Sequence, residues 1–188
     1  MCVIIAKKKG VKVPSKKFLE RAYRANPDGC GYATSSGVMF KSTSFKEFWD
    51  HFKEHARKED SVIIHFRWAT HGEVCEANCH PFAYTVAGEI GYMAHNGVIH
   101  GVETDGNTDS EAYLRLAQDY VYEQILTDKE RRKLFHKCFE TPEVSGSKFA
   151  FVSNKGLHLS GAFIPYDGGL MLSNLRFLQG YWRGGVGL

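Results

Sequence analysis

Cys2 has the widest chemistry open to it of any residue in this chain. Once Met1 is removed, Cys2 carries a thiol and a free α-amine on one residue. The amine has a reference pKa of about 7.7–8.0 and the thiol about 8.5, so the amine can act as base for its own side-chain nucleophile. Arg67 closes an apolar run. There a guanidinium either pairs with a core acid or turns its planar fork to a ligand carboxylate in a cleft. Asn96-Gly97 follows a second apolar run and reads as a turn signal. Asp109, beside Thr108, stands where a carboxylate complements a helix dipole. Cys75, Cys79, His80 and Cys30 raise the question of a metal. The Cys-x3-Cys-His spacing lacks a second ligand pair, so neither a metal nor any other cofactor is expected.

Composition narrows the classes. The 188 residues are 43% hydrophobic and 24% charged, enough for one domain spanning 1–188 with a sizeable core. The net charge of +3 comes without a Lys/Arg block on a groove-binding element, which argues against nucleic acid. The run Lys7-Lys8-Lys9 reads as a solvated turn after a strand. Five cysteines, an odd number, with no signal-like leader point to a reducing compartment, hence the cytoplasm. No run approaches the roughly 20 apolar residues of a membrane span.

The elements that must position these residues follow from periodicity and caps. Cys2–Ala6 is a first strand. Ser15–Arg24 has helical spacing and is stopped by Asn26-Pro27-Asp28-Gly29. Gly31–Thr34 and Val38–Lys41 read as a hairpin. Ser44–Arg57 is a helix opened by a capping box, Ser44 with Glu47, and its stripe Phe45, Phe48, Trp49, Phe52 is core packing. Ser61–Phe66 is a strand buried on both faces, and a polar loop follows it through Phe82. Gly91–Ile99 holds another strand. Thr108 with Glu111 and Thr127 with Glu130 are two further capping boxes, opening helices to about Val121 and Cys138. Phe149–Ser153, Leu157–Gly161 and Leu170–Ser173 are closing strands, and the Gly-rich run 181–188 is a loose tail. Strands, two helices, strands, two helices and strands make an α+β domain.

Four segments in order then carry a resemblance. His65-Phe66-Arg67-Trp68-Ala69-Thr70-His71-Gly72, Asn78-Cys79-His80-Pro81, His95-Asn96-Gly97-Val98-Ile99 and Thr108-Asp109-Ser110-Glu111 resemble the class II glutamine amidotransferase domain. The nearest likeness is to the glutaminase domain of glucosamine-6-phosphate synthase, over roughly residues 2 to 175. The resemblance implies the four-layer αββα sandwich of N-terminal nucleophile hydrolases. It implies hydrolysis of the side-chain amide of L-glutamine through a γ-glutamyl thioester on Cys2. It assigns Asn96 and Gly97 to an oxyanion hole and Arg67 to the substrate α-carboxylate, with Thr70 and His71 assisting. Trp68 shapes the pocket, Asp109 takes the α-amino group, and His80 and His95 supply supporting hydrogen bonds.

Two departures stand out. Where the family synthase has Arg-Gly-Tyr-Asp-Ser-x-Gly, this chain has Ala25-Asn26-Pro27-Asp28-Gly29-Cys30-Gly31, keeping the Asp and the last Gly but not the Arg; and Val3 replaces the Gly after the nucleophile. The expected partner is a separate synthase subunit, because no acceptor domain follows within the 188 residues. The competing readings are an N-terminal nucleophile amidase acting on another γ-glutamyl or acyl amide, and a non-catalytic regulatory domain. Arg67 together with Asp109 favours a free α-amino acid as substrate. The full set Cys2, Arg67, Asn96, Gly97 and Asp109 argues against a domain without activity.

Overall fold

The alternation along the first strand lays out the architecture. In β1 (Val3–Lys7) every residue is buried. Val3 and Ile5 pack with Leu19, Ala22, Phe48 and Phe52 of two helices, whereas Ile4 and Ala6 pack with Ala94, Ala150 and Val152 of another sheet. A strand whose side chains alternate between two apolar faces must lie between two layers. The computed structural model describes residues 2–69, 72–104 and 108–179, and the backbone of 181–182 and 185–186.

Around β1 lies a six-stranded sheet. It contains β2 (Cys30–Thr34), β3 (Met39–Ser42), β4 (Val62–Phe66), β9 (Ile164–Tyr166) and β10 (Leu170–Leu172) in the order β3-β2-β4-β1-β10-β9. Helices α1 (Lys16–Ala25) and α2 (Phe45–His55) cover its outer face. The second sheet, β5 (Phe82–Val86), β6 (Glu89–Asn96), β7 (Lys148–Ser153) and β8 (Gly156–Ser160), runs in sequence order. It is covered by α3 (Asp109–Glu123) and α4 (Asp128–Lys137) through Leu114, Ala117, Val121 and Phe135. Where the sheets face each other, Ala6, Ala33, Ala94 and Ala150 are buried alongside Ile4, Ile63 and Val152. The order is therefore helix, sheet, sheet, helix, the expected αββα layering. No described helix is long and apolar enough to cross a membrane.

Several local expectations change. The loop expected through Phe82 stops one residue earlier, and Phe82–Val86 is a strand to which no element was assigned from sequence. Phe82, Tyr84 and Val86 point inward, and Ala87 and Gly88, at φ 52° and 73°, make the tight turn into β6. Asn96-Gly97, by contrast, ends β6 without turning into a hairpin. Of the three capping boxes only Thr127–Glu130 is reciprocal. In α2, Glu47 accepts from Ser42 Oγ (2.6 Å), which in turn accepts from the Ser44 N–H (2.9 Å), so a hydroxyl relays the second half of the box. In α3, Glu111 pairs with Arg115 instead (3.3 Å). Lys7 is not in a solvated turn. It falls on the same face as Val3 and Ile5, is 1% exposed, and gives its ammonium to the carbonyls of Lys58 and Asp60. In the closing run, β11 (Tyr181–Trp182) pairs with β12 (Gly185–Val186), where a loose tail was expected; 183–184 and 187–188 lie outside the described residues.

Three histidines belong to the core. His65 (β4), His80 and His95 (β6) are each at most 5% exposed, with ring centroids 4.3 Å apart for His65–His80 and 6.5 Å for His80–His95. Burial, above all, holds the rings neutral. His65 is pushed from its ordinary 6.5 to about 3, His95 to about 4, and His80 well below the usual range. A depressed folded-state histidine gives stability that is complete above the unfolded value and is lost as pH falls below it. We therefore expect the unfolding free energy to decline as pH drops from about 6.5 toward 5, each of these rings contributing a slope of about 1.4 kcal/mol per pH unit at the acid end. Urea titrations across that range should show a slope shallower by about one proton in His65→Gln. An unchanged slope would rule this account out.

Candidate active site

The β1–β4 register pairs Val3 with Phe66, so the residues one step further, Cys2 and the start of Arg67-Trp68, meet at the sheet's end. Cys2 Sγ lies 3.4 Å from the Trp68 nitrogen and 3.5 Å from its carbonyl oxygen. Burial pushes the Cys2 thiol up, while the Trp68 N–H and the Arg67 cation pull it down. Burial is the largest of these effects, so the thiol stays above its ordinary value and a base must take its proton before it can act as a nucleophile.

The strand end is fixed from behind by the run that departs from the family synthase. The Arg67 N–H donates to Gly29 O (2.8 Å) and the Asp28 N–H to Arg67 O (3.0 Å), and Asp28 Oδ2 accepts from the Ala69 N–H (2.8 Å). Asp28 thereby holds the backbone around the nucleophile. Gly31 is needed for the same region, since a Cβ there would overlap the His80 carbonyl. Arg67, 4% exposed, donates from Nη1 to the Glu73 carbonyl (2.7 Å), which also accepts from the Asn78 amide (3.1 Å).

On the opposite side, Asp109 opens α3. Its Oδ2 accepts from the Ile99 N–H (2.8 Å), and its Oδ1 from the Ser110 N–H (2.7 Å) and Ser110 Oγ (3.1 Å). A hydroxyl has one proton, so Ser110 that donates to Asp109 must accept from His95 Nδ1 (2.8 Å). This assigns the proton of neutral His95 to Nδ1 and leaves Nε2 to accept from Ser147 Oγ (3.0 Å). Ser147 packs on Gly97, where a Cβ would overlap both Ser147 Oγ and the His95 ring. A continuous chain thus runs from the Asp109 carboxylate to the Gly97 backbone.

One pocket is lined by Cys2, Arg67, Trp68, Gly97 and Asp109, five of the residues singled out in the sequence. Thr70 and His71 lie outside the described residues. Asn96 does not line the pocket. It is buried beside it, with Nδ2 donating to Ser173 Oγ (2.8 Å) and Oδ1 without a partner. His80 lines the pocket but makes none of the expected hydrogen bonds, both ring nitrogens being buried without a partner. Leaving such a group bare costs about 1–3 kcal/mol. His95, in contrast, is doubly bonded as expected. Sequence reading missed Ser110, Ser147 and Ser173. Ser110 stood inside a quoted motif; the other two follow or precede strands with no local signal. Among the described residues no group of three or more His, Cys, Asp or Glu is arranged to hold a metal ion.

Comparisons with known proteins bear on the fold and on the family. In three dimensions the chain resembles the glutamine phosphoribosylpyrophosphate amidotransferase from B. subtilis, with a TM-score of 0.59 over 95% of this chain and 43% of that one, at 15% identity. That likeness concerns the fold, the αββα sandwich of the N-terminal nucleophile hydrolases. In sequence, the chain is 34% identical over 108 residues to a Haemophilus influenzae protein assigned to the glutamine amidotransferases, covering 50% of this chain and 37% of that protein. It is 36% identical over 101 residues to the glutamine–fructose-6-phosphate aminotransferase (isomerizing) of Aliivibrio fischeri, covering 54% of this chain and 14% of that enzyme. The chain therefore spans well under half the length of these relatives. Residues 48–158 match the family model of class-II glutamine amidotransferases, a segment that holds Arg67, Gly97 and Asp109 and begins after Cys2. Since that segment is more than half of the 188 residues, this chain belongs to the class II glutamine amidotransferases.

Proposed function

We propose that this protein hydrolyses the side-chain amide of L-glutamine, with Cys2 as the nucleophile. The observation that carries the reading is the convergence of a thiol, a guanidinium and a carboxylate, from Cys2, Arg67 and Asp109, on one pocket. A free α-amino acid offers one carboxylate and one ammonium, and Arg67 and Asp109 complement them. The carboxamide then extends toward Cys2.

After removal of Met1, the Cys2 amine takes the thiol proton and the thiolate attacks the amide carbon. Charge moves to the amide oxygen, where the Gly97 N–H and the second Asn96 amide hydrogen would stabilise it. Collapse expels ammonia, which leaves with the proton held by the amine, and forms a γ-glutamyl thioester. Water then cleaves the thioester to give glutamate and the free thiol. We further propose that the ammonia passes to a synthase domain or subunit, as the name of the Aliivibrio fischeri relative suggests. The free thiols of all five cysteines fit a reducing, cytoplasmic setting.

Intact-mass analysis should show a chain lacking Met1, and Cys2→Ala should lose glutamine turnover while keeping its thermal midpoint. Full turnover by that variant would sink the assignment. Arg67→Lys keeps the charge but loses the fork; its KM for glutamine should rise about tenfold or more with kcat little changed. Asn96→Ala should do the reverse, lowering kcat on the order of 10²–10³-fold, the usual effect of losing one oxyanion donor. Steady-state ammonia release measures both. Faster cleavage of a different γ-glutamyl amide than of glutamine would instead assign the pocket to an amidase.

A further inference from the structure

One buried hydroxyl joins the two sheets beside the pocket. Ser173 directly follows β10 and is 0% exposed. Its N–H donates to Ile4 O (3.0 Å), closing the backbone ladder to β1. Its Oγ accepts from the Ile4 N–H (2.8 Å) and from Asn96 Nδ2 (2.8 Å). Lys148, at the start of β7, gives its ammonium to the Ser173 carbonyl. The next residue, Asn174, donates from Nδ2 to the Cys2 carbonyl (2.8 Å). Ile4 is two residues from Cys2, and Asn96 immediately precedes Gly97.

We propose that Ser173 is a positioning residue: it fixes the Asn96 amide against the nucleophile strand, so that the oxyanion donor and the Cys2 sulphur keep one geometry. The proposal rests on the reading of Asn96 as an oxyanion donor. An asparagine side chain has two rotatable bonds and a planar amide. Anchoring one N–H therefore fixes where the other points. Ser173 Oγ is the sole anchor of this amide among the described residues, because Asn96 Oδ1 has no partner. The same oxygen is bonded to the backbone of β1, so the amide of a residue on one sheet is tied to the strand of the other that carries Cys2. A donor held this way needs no reorganisation as charge develops.

The test is a double-mutant cycle on glutamine turnover with Ser173→Ala, Asn96→Ala and the pair, together with the rate at which iodoacetamide alkylates Cys2. A small electrophile of this kind needs the thiolate but no oxyanion donor. We expect Ser173→Ala to lower kcat about 10- to 100-fold with KM within about twofold, part of the loss known for removing an oxyanion donor outright. In the Asn96→Ala background the same change should cost less than about twofold, since residues acting as one unit are not additive. Alkylation of Cys2 should keep its wild-type rate. An undiminished kcat, an equal loss in both backgrounds, or a parallel fall in alkylation would each overturn the proposal, the last two by showing a general structural role. Should Ser173→Ala not fold, Ser173→Cys keeps a partner for Ile4 while displacing the amide. It should then show the same selective loss of kcat, and an unchanged kcat there would equally reject the idea. Absence of glutamine turnover in the wild-type protein would instead reject the functional reading on which the proposal stands.

Discussion

The antiparallel pairing of β1 with β4 is the constraint on which the rest of the molecule depends. It matches Val3 with Phe66 and continues to Lys7 with Val62. Because side chains alternate with a period of two, a slip by one residue would turn Val3 and Ile5 away from the helices and move Cys2 off the Trp68 backbone. The apolar demands of both faces therefore fix the position of a polar, reactive residue at the strand's end. β2 extends the same logic, since its pairing of Cys30 with Phe66 brings Asp28 under Ala69.

The second sheet supplies the opposing wall. Its last β6 residues lead into Gly97, and α3 delivers Asp109 with a carboxylate already bonded to three donors from Ile99 and Ser110. These bonds orient the carboxylate without neutralising it. The histidines in and behind the pocket stay uncharged through burial, so the site's electrostatics are set by Arg67 and Asp109 and not by a cluster of imidazolium charges. Low dielectric around a few fixed charges makes each count for more than it would in water.

Much of this was legible from residue order. The strands buried on both faces, β1 and β4, announced themselves as nearly continuous apolar runs, and Ser44, Thr108 and Thr127 all cap helices where their types predicted. Of the five pocket residues, Arg67, Trp68, Gly97 and Asp109 were named because their motifs were continuous in sequence, and Cys2 for its thiol beside an N-terminal amine. What was not legible depended on partners far along the chain. Ser173 meets Asn96 across 77 positions and Ser147 meets His95 across 52, and a lone serine carries no sign of such a meeting. Lys7 looked like solvent-facing charge because its two acceptors are main-chain carbonyls, which no composition rule can place. β5 was missed because its neighbourhood of His, Pro and Cys masked a plain alternation of Phe82, Tyr84 and Val86.

The position of β10 has a consequence for the life of the chain as it is made. β1 lies between β4 and β10, and its ladder to β10 pairs Ile5 with Leu172. The amide that holds the Cys2 carbonyl comes from Asn174. β1 is thus completed late, waiting for a partner more than 160 residues downstream. Such long-range pairing is slow to form and costs loop-closure entropy before it is rewarded. Until then the thiol is a nascent side chain with an unfinished surround, and the assembled site comes into being only once Asn174 has reached it.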